Sequence, residues 1–379
     1  MINRTFWVEK VQELLKKRSV LWLRGVRRAG KTMLCKSMPG IEYFDCEMPE
    51  IRKMAENESF LKDNAGKLIA LDEIHRLSNP AQLLKLASDH YPGTKVIATG
   101  SSSLEAMKKF SDTLTGRKYT LHLTPAIWRD TEEFGHVPMK TRLLHGGLPP
   151  FLLSPQLDRP AYNEWLDSYW SKDILELFRL EKREAFMKMF ELVMSQSGGM
   201  FDAVKFGRAC EISRHTVKNY ISVMEATGVV SVLRPFSGDS GSEIVSMPKI
   251  YGFDSGFVAF TRGWDSLRSD DYGVMWEHMV LNEMTAVLQD KRINYWRDTR
   301  CHEVDFVISA GRGRAHAVEC KWQSSGFDAG NLKIFRGHHP EGLNFIVSHN
   351  TEKPYNMILH GMKIRHIGLA HIADELSGV

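Results

Sequence analysis

Residues 25–32 read Gly25-Val26-Arg27-Arg28-Ala29-Gly30-Lys31-Thr32, and no other stretch limits the possible folds as much. The apolar run Val20-Leu21-Trp22-Leu23 before it reads as a buried strand, and Met33-Leu34-Cys35-Lys36-Ser37 after it continues as a helix. A strand, a loop of the form G-x-x-x-x-G-K-[ST] and a helix make a phosphate-binding loop. Its glycines let backbone N–H groups curl around a phosphate, and the helix start adds partial positive charge. Gly25, Arg27, Arg28, Ala29, Gly30, Lys31, Thr32 and Met33 are therefore expected around bound ATP. Lys31 is positioned for the β- and γ-phosphates, and the Thr32 hydroxyl for Mg²⁺. Arg27 and Arg28 either add phosphate contacts or stay solvated.

Further along, Lys67-Leu68-Ile69-Ala70-Leu71-Asp72-Glu73-Ile74-His75 is an apolar strand ending in two acids, the Walker B pattern. A buried parallel strand delivers such carboxylates to the nucleotide crevice. Asp72 is expected to hold Mg²⁺, directly or through water, and Glu73 to polarise the attacking water. A third strand, Lys95-Val96-Ile97-Ala98-Thr99-Gly100, runs into Ser101-Ser102-Ser103. Thr99 or Ser101 is the candidate sensor of the γ-phosphate.

These motifs, with Thr115-Gly116-Arg117 and His145-Gly146-Gly147-Leu148-Pro149, resemble a prokaryotic family of AAA-type ATPases with a C-terminal domain of largely unassigned function. The resemblance covers essentially the whole chain. It implies a five-stranded parallel sheet with the sensor strand between the P-loop and Walker B strands. Arg117 then becomes a candidate arginine finger acting on a neighbouring copy in a homo-oligomer, or else a solvated surface arginine.

Composition sets the outer limits. The net charge of +4 over 379 residues permits nucleic-acid binding without arguing for it. No apolar run approaches the roughly 20 residues of a membrane span, so no membrane partner is expected. The N-terminus lacks a signal-peptide layout. Cys35, Cys46, Cys210, Cys301 and Cys320 are scattered, with no C-x-x-C pair. Reduced thiols in the cytoplasm are the expectation.

Pro138, Pro149-Pro150, Pro155 and Pro160 separate the ATPase core from a helical stretch at 162–183. Its Trp165, Leu166, Tyr169, Trp170 and Ile174 recur at helical spacing and predict a core-packed lid beside the nucleotide. Residues 186–236 carry a helix-turn-helix pattern in which Ser213 caps a second helix bearing Arg214, His215 and Lys218. With a wing strand at 229–233 it predicts a winged helix that meets either DNA or a protein surface.

After the break Ser237-Gly238-Asp239-Ser240-Gly241, an amphipathic helix is predicted at 273–288, carrying Glu277 and, half a turn away, Glu283. A hairpin follows, with Asp305 on one strand and Glu319-Cys320-Lys321 on the next. Period-2 geometry puts Glu319 and Lys321 on one face. The order resembles the PD-(D/E)xK fold of restriction endonucleases, in which carboxylates hold Mg²⁺ and a lysine orients the attacking water. The matching positions are Glu277, Asp305, Glu319 and Lys321.

The expected architecture is multidomain α/β. An AAA-like P-loop ATPase domain spans 1–137, a helical lid 138–185, a winged helix 186–240 and a restriction-endonuclease-like α/β domain 241–379. Its expected function is Mg²⁺-dependent ATP hydrolysis coupled to DNA, or a nucleotide-driven switch that binds a protein partner without cutting.

Overall fold

The computed structural model describes residues 4–378, apart from 58, 101–112, 179, 181, 237–246, 290–292, 312 and 326. Ser101 to Ser103 and the break at 237–241 lie outside the described residues.

Five parallel strands form the first sheet: β1 (Val20–Arg24), β2 (Ile41–Asp45), β3 (Leu68–Asp72), β4 (Lys95–Thr99) and β5 (Lys118–His122), in the order β2-β3-β4-β1-β5. β1 shows why a run without polar alternation still makes a strand. Val20 and Trp22 pack into the core on one face, Leu21 and Leu23 into the core on the other. A sheet covered on both sides needs such runs. The Thr99 strand lies between the P-loop and Walker B strands, as the resemblance implied.

Helix Arg159–Ser168 continues without a break as a seven-residue π-helix, Tyr169–Leu175, and then as Glu176–Phe178. Trp165, Tyr169 and Trp170 are buried core, as their spacing predicts. Helices Ala203–Cys210 and Arg214–Ala226 follow, and the Ser213 hydroxyl accepts the Thr216 N–H at 3.1 Å. They accompany a three-stranded sheet of β6 (Gly199–Met200), β7 (Val230–Leu233) and β8 (Lys249–Gly252), ordered β6-β8-β7. Residues 249–252, inside the 241–379 span expected for the last domain, pair antiparallel with β6 and β7. The strand is too short to reveal its partners from pattern alone.

The last sheet contains β9 (Ile293–Arg297), β10 (Glu303–Ser309), β11 (Ala315–Lys321), β12 (Asn344–Ser348), β13 (Tyr355–Leu359) and β14 (Met362–Ile367), ordered β13-β14-β12-β11-β10-β9. Helix Asp271–Leu288 is buried nearly all round rather than amphipathic. On one side Trp276 donates to the Val347 carbonyl at 2.9 Å. On the other, Gln289 just past its end accepts the His122 N–H and donates to the His122 carbonyl, tying it to β5. His338 ends helix Gly330–His338. Among the described residues no helix is long and apolar enough to cross a membrane.

Candidate functional site

The loop after β1 takes its shape from two left-handed residues, Arg28 (φ 64°) and Gly30 (φ 100°). Gly25 is required for a different reason: a Cβ there would sit 2.5 Å from the Leu123 carbonyl oxygen. Lys31 folds over the loop and donates to the carbonyls of Gly25 and Val26 at 2.8 and 3.2 Å. Burial lowers its pKa, although Glu73, Asp173 and Asp72 resist that change. Ala29 is buried, its carbonyl held by Arg4, and Met33 lies exposed at the rim.

Asp72 ends β3 as the target of three hydroxyls. Thr32 donates to its Oδ2 at 2.7 Å, Tyr43 to the same oxygen at 2.5 Å, and Thr99 to Oδ1. The Thr99 hydroxyl also accepts the Glu73 N–H at 3.2 Å, linking the sensor strand to both acids. The Thr32 hydroxyl and Asp72 carboxylate are hard oxygen donors side by side, a set that suits Mg²⁺. Glu73 lies beside His75 at 3.2 Å. Burial would raise the Glu73 pKa, but His75, Lys31 and Arg27 together hold it below the ordinary value.

The π-helical segment and the α-helical turns on either side of it close the site. Trp165 donates to the Arg27 carbonyl at 3.1 Å, and Asp173 pairs with the Arg27 guanidinium at 3.0 Å. Glu164 takes Arg28 and Glu176 takes Arg76, each at 2.6 Å. Acids of the lid thus pair with both Arg27 and Arg28, whose partly exposed side chains line the cavity. Loop and lid enclose a cavity of about 400 Å³, with Thr227 and Val229 on its far wall. That is within the roughly 300–1,000 Å³ of small-molecule pockets.

Residues 17–131 match a family model described as an AAA domain. This segment is an AAA-type P-loop domain. Residues 138–268 and 272–361 match two families described as domains of unknown function. The chain is 26% identical over 337 residues to uncharacterised proteins of Mycobacterium bovis and Mycobacterium tuberculosis, covering 86% of this chain and 75% of each relative. Among solved structures, a Walker-type ATPase of Pyrococcus abyssi matches at 15% identity and TM-score 0.47, over 69% of this chain and 96% of that one. Cdc6p of Pyrobaculum aerophilum matches at 9% and 0.29, over 69% and 94%.

Arg117 lies at the start of β5, whereas the P-loop follows the opposite end of neighbouring β1. It pairs with Asp89 at 2.7 Å and cannot serve the nucleotide pocket of its own AAA-type domain. On the second helix of the helix-turn-helix, Arg214, His215 and Lys218 are all exposed.

The C-terminal acids do gather. Asp305 lies where β10 breaks register against β9, between Val304 and Val307, and its carboxylate accepts the Cys320 N–H of β11 at 2.7 Å. Lys321 reaches Glu319 at 3.2 Å. Glu319 is 4% exposed, and its Oε1 is a buried oxygen without a hydrogen-bond partner. Burial first and Asp305 second push Glu319 up to about 8 and Glu277 up to about 7. The expected metal set of Glu277, Asp305 and Glu319 is not assembled, however. Among the described residues no three His, Cys, Asp or Glu side chains stand in metal-holding geometry. Each carboxylate is instead engaged by a donor of the protein, Glu277 by the Tyr251 hydroxyl at 2.9 Å. The orphaned Glu319 oxygen is the one feature that fits a cation there.

Sequence reasoning missed Tyr43, Asp173, Lys249 and Tyr251. Only Tyr43 left a signal, a polar tip on a strand beside Walker B.

Proposed function

We propose that this chain binds Mg²⁺–ATP at residues 25–32 and hydrolyses it. The observation that carries the reading is the Asp72 carboxylate, held by hydroxyls from three elements next to an ionised Glu73 and the Lys31 ammonium. Lys31 neutralises phosphate charge, Glu73 accepts a proton from the attacking water, and Thr99 keeps the two acids in register. Mg²⁺, held by Thr32 and Asp72, supplies charge neutralisation at the phosphates. Lys31→Ala and Glu73→Gln should each abolish phosphate release, with Glu73→Gln still binding nucleotide. Hydrolysis at wild-type rates in both variants would refute the site.

Hydrolysis is coupled, in this proposal, to DNA through a winged helix at Arg214, His215 and Lys218 and a nuclease-like hairpin at Asp305, Glu319 and Lys321. The exposed cations and the helix-turn-helix with its antiparallel sheet support it. Arg117 acts on the nucleotide of a neighbouring copy. DNA incubated with protein, Mg²⁺ and ATP should be cut by the wild type and not by Asp305→Ala; equal cutting by both excludes the hairpin site.

One observation favours a second reading, a nucleotide-driven switch that binds a protein partner and does not cut. The acidic carboxylates are engaged by the chain's own donors rather than converging on one point. Absence of DNA binding at moderate salt would select it.

A further inference from the structure

β8 belongs to the middle sheet, yet two of its side chains end in the acidic site. Residues two apart on a strand share a face. Lys249 and Tyr251 therefore project together: the Lys249 ammonium bonds Glu303, and the Tyr251 hydroxyl bonds Glu277. Lys249 is only 5% exposed, a setting lysines occupy almost solely when paired. Its charge also acts on Glu277 and Asp305. Glu303 has a second cation of its own, Arg297 at 3.0 Å. Neutralising Glu303 alone therefore does not require a buried lysine from another sheet.

We propose that β8 is a latch on the acidic site: Tyr251 holds Glu277, a carboxylate that a divalent cation would otherwise take, and Lys249 adds positive charge beside Glu277 and Asp305. This inference rests on the reading of Glu277, Asp305 and Glu319 as a cation site. Two facts bear on the latch. The acids are close enough to act on one another, yet they form no metal-holding group: Tyr251 of β8 holds Glu277, while the Cys320 N–H takes Asp305 and Lys321 takes Glu319. Meanwhile the Glu319 Oε1 remains a buried oxygen without a hydrogen-bond partner. The strand carrying the latch is also tied to the nucleotide cavity. β7 pairs with β8, and the Phe253 N–H bonds the carbonyl of Val229, a residue of the cavity wall, at 3.0 Å.

The test is Mn²⁺ titration of the full chain without nucleotide, followed by the loss of the free-ion electron paramagnetic resonance signal. Lys249→Met removes one nearby positive charge and should tighten binding about tenfold, from the Coulomb repulsion relieved at intermediate dielectric. Lys249→Arg keeps the charge and should bind like the wild type. Adding Glu319→Gln to Lys249→Met should erase the gain. Tyr251→Phe keeps the ring and frees Glu277, so it should also tighten binding; it carries the test should Lys249→Met fail to fold. If Lys249→Met binds no more tightly while Glu319→Gln still weakens binding, the latch is wrong and the cation site stands. If Glu319→Gln changes nothing in either background, the cation site itself is wrong, and the latch with it.

Discussion

Glu283 joins the last domain to the AAA-type domain, and its protonation should set how tightly they hold. The carboxylate accepts the Trp128 N–H that starts helix Trp128–Glu133, at only 4% exposure. Asp130, Arg142 and Arg129 surround it, and burial, the dominant effect, lifts its pKa from the ordinary 4.5 to about 8. A carboxyl raised on folding costs nothing below the unfolded value. It costs progressively more as pH climbs from 4.5 toward 8, at about 1.4 kcal/mol per pH unit, or roughly 3.5 kcal/mol between pH 5 and 8. Glu283→Gln keeps an acceptor for Trp128 and removes the charge. Urea unfolding followed by tryptophan fluorescence should find the variant similar to the wild type at pH 5 and increasingly more stable toward pH 8. The buried His122 and His278, held near 3, titrate identically in both proteins and cancel in the difference. A stability difference that stays constant from pH 5 to 8 would refute the assignment of Glu283 as a buried, neutral carboxyl.

Tyr43→Phe removes one hydroxyl from Asp72 and should lower ATP turnover roughly tenfold, in line with the 1.5–3 kcal/mol of a hydrogen bond to a charged group; unchanged steady-state kinetics would count against that role. Gly25→Ala drives a Cβ into the Leu123 carbonyl and should lower the urea midpoint by the equivalent of roughly 1–3 kcal/mol, as overpacking does. Arg117→Ala should leave nucleotide binding intact while cutting turnover by about a thousandfold, the low end for an arginine finger. Turnover per chain that is independent of protein concentration in the wild type would remove the trans role.

What could be read from the sequence follows a physical boundary. β1, β3 and β4 are apolar runs, β1 leading into Gly25 and the others ending in Asp72 and Thr99, so both the strands and the residues at their tips were legible. The cap at Ser213 was equally local. Asp173 was not, because it meets Arg27 across 146 positions and has no motif of its own. Helix Asp271–Leu288 looked amphipathic because a single sequence cannot reveal that its polar side, with Asn282 and Glu283, is covered by another domain. β13 and β14 went unread, since β13 is an exposed edge with little of the alternation that marks half-buried strands. Lys249 and Tyr251 lie on a short strand whose pattern does not show that it pairs with β6 and β7, so their bearing on the acids was not legible either.

The π-helix at Tyr169–Leu175 also bears on how this protein can vary. A π-helix closes each hydrogen-bonded ring with one more residue than an α-helix, so this segment stores surplus chain. Deleting one residue would let it relax to an ordinary α-helix, and because the wider turn is what absorbs that residue, the helix beyond would keep nearly its present facing. Glu176 would stay opposite Arg76, while Asp173 would turn away from Arg27 if the deletion fell just beside it. A single-residue deletion inside this segment is therefore absorbed locally, whereas one in the α-helix before it would turn everything beyond by about 100°.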